Sequence, residues 1–168
     1  MTDYNFAPLI INSYIWNELG AVMPSLTSKY TGIEPIYPVY DSLSAKGAWN
    51  GLPYIIYDNM LMSKISSFYG IKREQTVYSI RGNVPEIFKI RNAIIDIIDR
   101  SDDAAKDINE YAGQNLNNVS VFFHEFSAFQ LDFTNEKTIA NSTRQLYTTE
   151  LILEYEYHNQ SIYNQSIV

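Results

Sequence analysis

The clearest pattern of apolar and polar positions is a strict two-residue alternation from Arg144 to His158, RQLYTTELILEYEYH. Tyr147, Thr149, Leu151, Leu153, Tyr155 and Tyr157 fall on one side of an extended chain, and Leu146, Thr148, Glu150, Ile152, Glu154 and Glu156 on the other. Successive Cβ atoms of a strand point to opposite faces, so this period predicts a β-strand. Its β-branched and aromatic residues favour the same conformation. One face is aromatic and aliphatic and belongs on a core; the acidic face belongs toward solvent, a neighbouring subunit or a channel.

Other segments carry a helical period. Ile11, Ile15, Leu19 and Val22 recur at helical spacing after Pro8, with Trp16 widening the stripe, and Gly20 and Pro24 mark the end. A second helix follows Pro85, where Ile87, Ile90, Ile94, Ile97 and Ile98 trace one face and Phe88 and Ile95 flank it. Asn83 to Glu86 has capping-box spacing. Ser101 is placed to cap a third, short helix ending at Gly113, with Asp102 and Asp103 against its N-terminal dipole.

Between these lie strands and connections. Met23 to Gly51 collects most turn formers and is expected to be irregular, either a surface loop or a subunit contact, with IYPVYDS as a short edge strand because Pro38 cannot donate to a ladder. Leu52 to Met60 reads as a strand covered on both faces, since Tyr54 to Tyr57 is continuously apolar. Thr76 to Gly82 is another strand. The connection from Leu61 to Gln75 is far longer than a hairpin turn and carries Lys64, Lys72 and Arg73 beside Phe68 and Tyr69, which predicts a locally basic projecting arm. Val119 to Phe133 has mixed apolarity on both faces, as expected of a strand central to a sheet and bulged near Glu125. The expected fold is α+β: an antiparallel sheet of about four strands, helices packed on one face, and an extended arm between strands. Residues 1–158 form one domain, and 159–168 a polar C-terminal tail.

Composition adjusts this picture little. The 168 residues suit one domain, and fourteen Tyr supply area to bury in a core or an interface. A net charge of −7 argues against general affinity for a nucleic-acid backbone, but suits a surface past which DNA must slide. No cysteine is present, which excludes disulfides and thiolate chemistry. With no signal-peptide pattern and no apolar run of membrane length, the expectation is a soluble, cytoplasmic protein.

Candidate chemistry is sparse. His124 and Glu125 are neighbours on a strand and are expected on opposite faces, and no spacing brings His124 to His158, the only other histidine. An enzyme reading would require His124 and a carboxylate in one cleft. Asp96, Asp99, Asp102, Asp103 and Asp107 lie at helical spacing around a cap rather than in a calcium loop, so no metal site is expected. Phosphate-binding glycine loops and the GxSxG elbow are missing, and no cofactor is expected. Arg81 at a strand end reads as a surface arginine. Glu150, Glu154 and Glu156 read as an acidic face rather than as a glycosidase pair.

The order of elements carries a resemblance. GLPYIIYD, TVYSIRG, PEIFKIRNAIIDIIDRSDDAAKDIN, VFFHEFSAFQLDF and LILEYEY succeed one another over Gly51 to His158. This succession resembles that of the tail terminator proteins of tailed bacteriophages and the similar neck proteins of long-tailed phages. The resemblance implies a non-enzymatic virion protein without catalytic residues. It implies a hexameric ring that ends polymerisation of the tail tube and joins the tail to the head connector. The implied partners are the tube protein, the sheath, a connector or stopper, and DNA passing through the lumen without sequence-specific binding. Assembly would take place in the host cytoplasm. On this reading Glu150, Glu154 and Glu156 line the lumen, and Lys64, Phe68, Tyr69, Lys72 and Arg73 form an inter-subunit arm. The alternatives are a head–tail adaptor or stopper and, in another class, a monomeric ligand-binding α+β domain.

Overall fold

The computed structural model describes residues 4, 6–31, 35–38, 52–66, 70–83, 85–138 and 145–159, with side chains left undescribed at 60–66, 129–138, 145 and 146. The elements are α1 (Ala7–Val22), α2 (Pro24–Thr27), β1 (Ile36–Pro38), β2 (Tyr54–Ser66), β3 (Ile71–Gly82), α3 (Glu86–Asp99), α4 (Ala104–Asn115), β4 (Val121–Thr138) and β5 (Gln145–Asn159). The five strands make one sheet in the order β1-β2-β3-β5-β4, antiparallel except for the parallel β1–β2 pair. The class is α+β, with one strand more than expected.

Periodicity decides which side chains meet. Ile87, Ile90, Ile94, Ile97 and Ile98 of α3 are all buried, as their spacing predicts. They share a cluster with Ile10, Ile11, Tyr14, Ile15 and Leu19 of α1, with Ala104, Ala105, Ile108 and Ala112 of α4, and with Leu151, Leu153, Tyr155 and Tyr157 of β5. Each fully buried Ile or Leu contributes roughly 1.5–3 kcal/mol of transfer free energy. On β3 the buried positions are Glu74, Thr76, Tyr78, Ile80 and Gly82, so the helices cover the face bearing even-numbered β3 and odd-numbered β5 residues. Buried Tyr78 donates its hydroxyl hydrogen to Asn12 Oδ1, fastening α1 to the sheet. Tyr54 to Tyr57 is buried throughout, with Ile55 and Tyr57 in the main core and Tyr54 and Ile56 in a small cluster on the other face.

Several expectations are corrected. The segment from Leu61 to Gln75 is sheet ladder over most of its length rather than loop: β2 continues to Ser66 and β3 starts at Ile71, with Gly70 at φ 66° just before it. Alternation already present in KREQTVYS extends the ladder. Of the arm residues, Phe68 and Tyr69 lie outside the described residues, as does the side chain of Lys64; Lys72 and Arg73 stand in the β3 ladder. β4 is an edge strand rather than a central one. Its outward-facing backbone at Phe123 is satisfied by Asn109 of α4, which accepts from Phe123 N at 2.9 Å and donates to Phe123 O at 2.8 Å. That pairing also blunts an edge open to other strands. The expected bulge is present: Phe123 pairs with Tyr157 and Glu125 with Glu156, leaving His124 as the extra residue.

The capping box at Asn83 does not form, and α3 starts after Pro85 without a side-chain cap. At α4 the cap is Asp103, whose Oδ1 accepts from Lys106 N at 3.0 Å, while Ser101 Oγ accepts from Asp103 N at 3.2 Å. That helix passes Gly113 and ends at Asn115. Val22 is 52% exposed, so the α1 stripe stops at Leu19. Pro38 ends a three-residue edge strand, as expected. The rest of the IYPVYDS segment and residues 160–168 of the tail lie outside the described residues. Among the described residues no helix is long and apolar enough to cross a membrane.

Candidate functional site on the last hairpin

Strand pairing builds a polar row on the sheet face opposite the helices. The β3–β5 register sets Ser79 against Glu150, Gln75 against Glu154 and Arg73 against Glu156. Each β3 residue meets its partner: Ser79 Oγ donates to Glu150 Oε1 at 3.2 Å and Gln75 Nε2 to Glu154 Oε2 at 3.4 Å. Arg73 Nη2 lies 2.5 Å from Glu156 Oε1, and its Nε lies 3.6 Å from Glu154 Oε1. The hydrogen bond to Glu156 holds the Arg73 guanidinium above its ordinary pKa. Arg73, grouped by the sequence with a projecting arm, thus belongs to the acidic face. The side chains of Glu154 and Glu156 are 28% and 15% exposed, so they form a fixed, partly neutralised row rather than a fully solvated one.

Beside this row the β4 bulge opens a cleft of about 370 Å³, lined by Arg73, His124, Glu125, Glu154 and Glu156, with Asp102 and Asp103 before α4. Adjacent strand residues normally face opposite ways, but the extra residue breaks that rule, and His124 and Glu125 line one cleft. The two histidines also meet: His124 Nε2 and His158 Nδ1 lie 2.6 Å apart. Sequence spacing could not bring these residues together because the contact depends on the β4–β5 register. Burial, then the neighbouring His124, lowers the His158 pKa below its ordinary value.

A second polar group lies on the helix side of the same strands. Glu74 is only 6% exposed. Tyr155 Oη donates to Glu74 Oε2 at 3.1 Å, and Tyr157 Oη donates to Glu74 Oε1. Tyr155 Oη also lies 2.8 Å from Thr76 Oγ1 and 3.1 Å from Asn59 Oδ1. These contacts satisfy a buried carboxylate and tie β2, β3 and β5 together. The alternation Glu74, Thr76, Tyr78, Ile80 was the signal for this side of the strand. The projecting arm expected from Leu61 to Gln75 hid it.

Arg81 stays at the far end of β3, away from the cleft-lining residues, with its Nε buried and unpaired among the described groups. Among the described residues no group of three or more His, Asp or Glu is arranged to hold a metal, and the aspartates around the α4 cap serve the helix end. The chain matches no protein-family model, and no curated protein matches it.

Proposed function

We propose that the chain is a structural ring subunit of a phage neck, acting as the tail terminator that ends tube growth and joins the tail to the head connector. The observation that carries this reading is the row Glu150, Glu154 and Glu156, held in fixed register on the face of an inner strand opposite the described helices. A lumen that passes DNA benefits from negative charge that neither sticks to phosphate nor rearranges. The succession of elements and the abundance of tyrosine agree with a subunit that makes extensive side-to-side contacts. An adaptor or stopper in the same neck is the nearest alternative, and the presence of tube ends capped by this chain separates the two.

Single-particle imaging and mass measurement of the purified chain, alone and with tail tubes, test the reading. The expected result is a six-membered ring, or a single ring at tube ends. A monomer at every concentration that also ignores tube ends would refute it. Replacing Glu150, Glu154 and Glu156 by Lys is expected to hinder DNA passage, and replacement by Gln to do so less. The Lys variant also sets like charges against Arg73, at about 0.2–1 kcal/mol per opposed pair, so its folding is checked first.

The cleft containing His124 and Glu125 supports a second reading, a ligand-binding domain, because its volume lies in the range of small-molecule sites. That reading expects a monomer in solution.

A further inference from the structure

The chain contains two histidines, and the fold brings both to one place. The β4–β5 register sets Phe122 opposite His158, and the bulge adds His124 beside them. The imidazole centroids are 4.8 Å apart, and Phe122 packs against the rings at 5.4 Å and 5.6 Å. At a nitrogen separation of 2.6 Å, one facing nitrogen carries the hydrogen and the other offers its lone pair. A hydrogen therefore sits between two good metal ligands.

We propose that His124 and His158 form a two-histidine site for a borderline divalent transition cation of the class Zn²⁺, Ni²⁺ or Cu²⁺. Neutral imidazole nitrogen is a preferred donor for these ions. With Zn–N bonds of about 2.0–2.1 Å at a tetrahedral angle, the two nitrogens would stand about 3.3 Å apart. Binding requires the facing nitrogens of the exposed His124 ring and the partly buried His158 ring to move apart by about 0.7 Å.

The surroundings favour a cation. Glu125 and Glu156 face the cleft from the two strands, with Asp102 and Asp103 before α4 and Arg73 on β3. On the α4 side Lys106 and Glu110 border a second hollow that also reaches His124 and Phe122. Carboxylates outnumber cations, so the local field draws positive ions without supplying a closed cage. Water fills the remaining coordination positions. With half the protein ligands of a closed structural zinc site, a dissociation constant of roughly 1–100 μM is expected. A bound ion would cross-link edge strand β4 to β5 at the bulge. This proposal does not depend on the ring reading.

Calorimetric titration of the full chain with zinc chloride at neutral pH tests it. Saturable binding of one ion per chain is expected, weakened about tenfold or more in His124→Asn and in His158→Asn, and unaffected by excess magnesium. Imidazole proton resonances of the unaltered chain provide a readout independent of variant folding, because each histidine gives one set, and both sets should shift together. Absent binding, unchanged binding in the two variants, competition by magnesium, or imidazole signals indifferent to zinc would each overturn the proposal.

Discussion

Asn109 offers the sharpest test of how α4 holds the edge of the sheet. Its side-chain amide pairs with both backbone groups of Phe123, at 2.9 Å and 2.8 Å, in the manner of a neighbouring strand. Phe123 is 1% exposed and directly precedes the bulged His124, so the same two bonds anchor the bulge. Asn109→Ala removes both, at roughly 0.5–1.5 kcal/mol each, or about 1–3 kcal/mol together. Alanine returns about 0.6 kcal/mol through its better helix propensity. A net loss of about 1–2 kcal/mol is expected. With an m-value of about 2 kcal/mol/M, the urea midpoint followed by circular dichroism falls by roughly 0.5–1 M. Asn109→Asp separates clamp from helix effects. It keeps an acceptor for Phe123 N–H but sets a carboxylate against Phe123 C=O, so it is expected to destabilise at least as much as Ala. If both variants unfold within about 0.5 kcal/mol of the parent at unchanged m, the amide clamp contributes nothing and the argument is wrong.

Other expectations follow from the same packing. A Cβ at Gly82 would lie 3.0 Å from Pro53 Cα and 3.2 Å from Ile87 Cγ2, so Gly82→Ala should cost about 1–3 kcal/mol, and an unchanged melting temperature would contradict it. Burial raises the pKa values of Tyr14, Tyr30, Tyr78, Tyr155 and Tyr157, and Glu74 adds to the effect at Tyr155 and Tyr157. Folded values above the unfolded value of 10.0 mean that their contribution is complete below that pH and is lost as pH rises above it. Phenolate absorbance should therefore show these five ionising only with unfolding, and early reversible ionisation of all tyrosines would count against the packing. His158 has the opposite sign. Its folded pKa lies below 6.5, so its contribution is present above that pH and declines as pH falls through the lowered value. Thermal melts across that interval should show stability falling on acidification, less steeply in His158→Asn.

What the sequence determined by itself was local and periodic. The isoleucine stripe of α3 and the alternation of β5 each bury one face wherever the element sits, so their spacing alone identified the element and its core side. The extra residue near Glu125 was legible for the same reason, as a break in the period. The tertiary structure decided what depends on register between distant segments. β4 lies at the edge because β5 pairs with β3, a choice between two strands of similar apolarity. Arg73 joins the acidic row because antiparallel pairing sets it opposite Glu156, 83 positions away. His124 meets His158 across 34 positions because the bulge defeats the alternation that would have turned Glu125 to the other face. Period is a property of neighbours along the chain, whereas register is a property of two strands, and the site on the last hairpin is made by register.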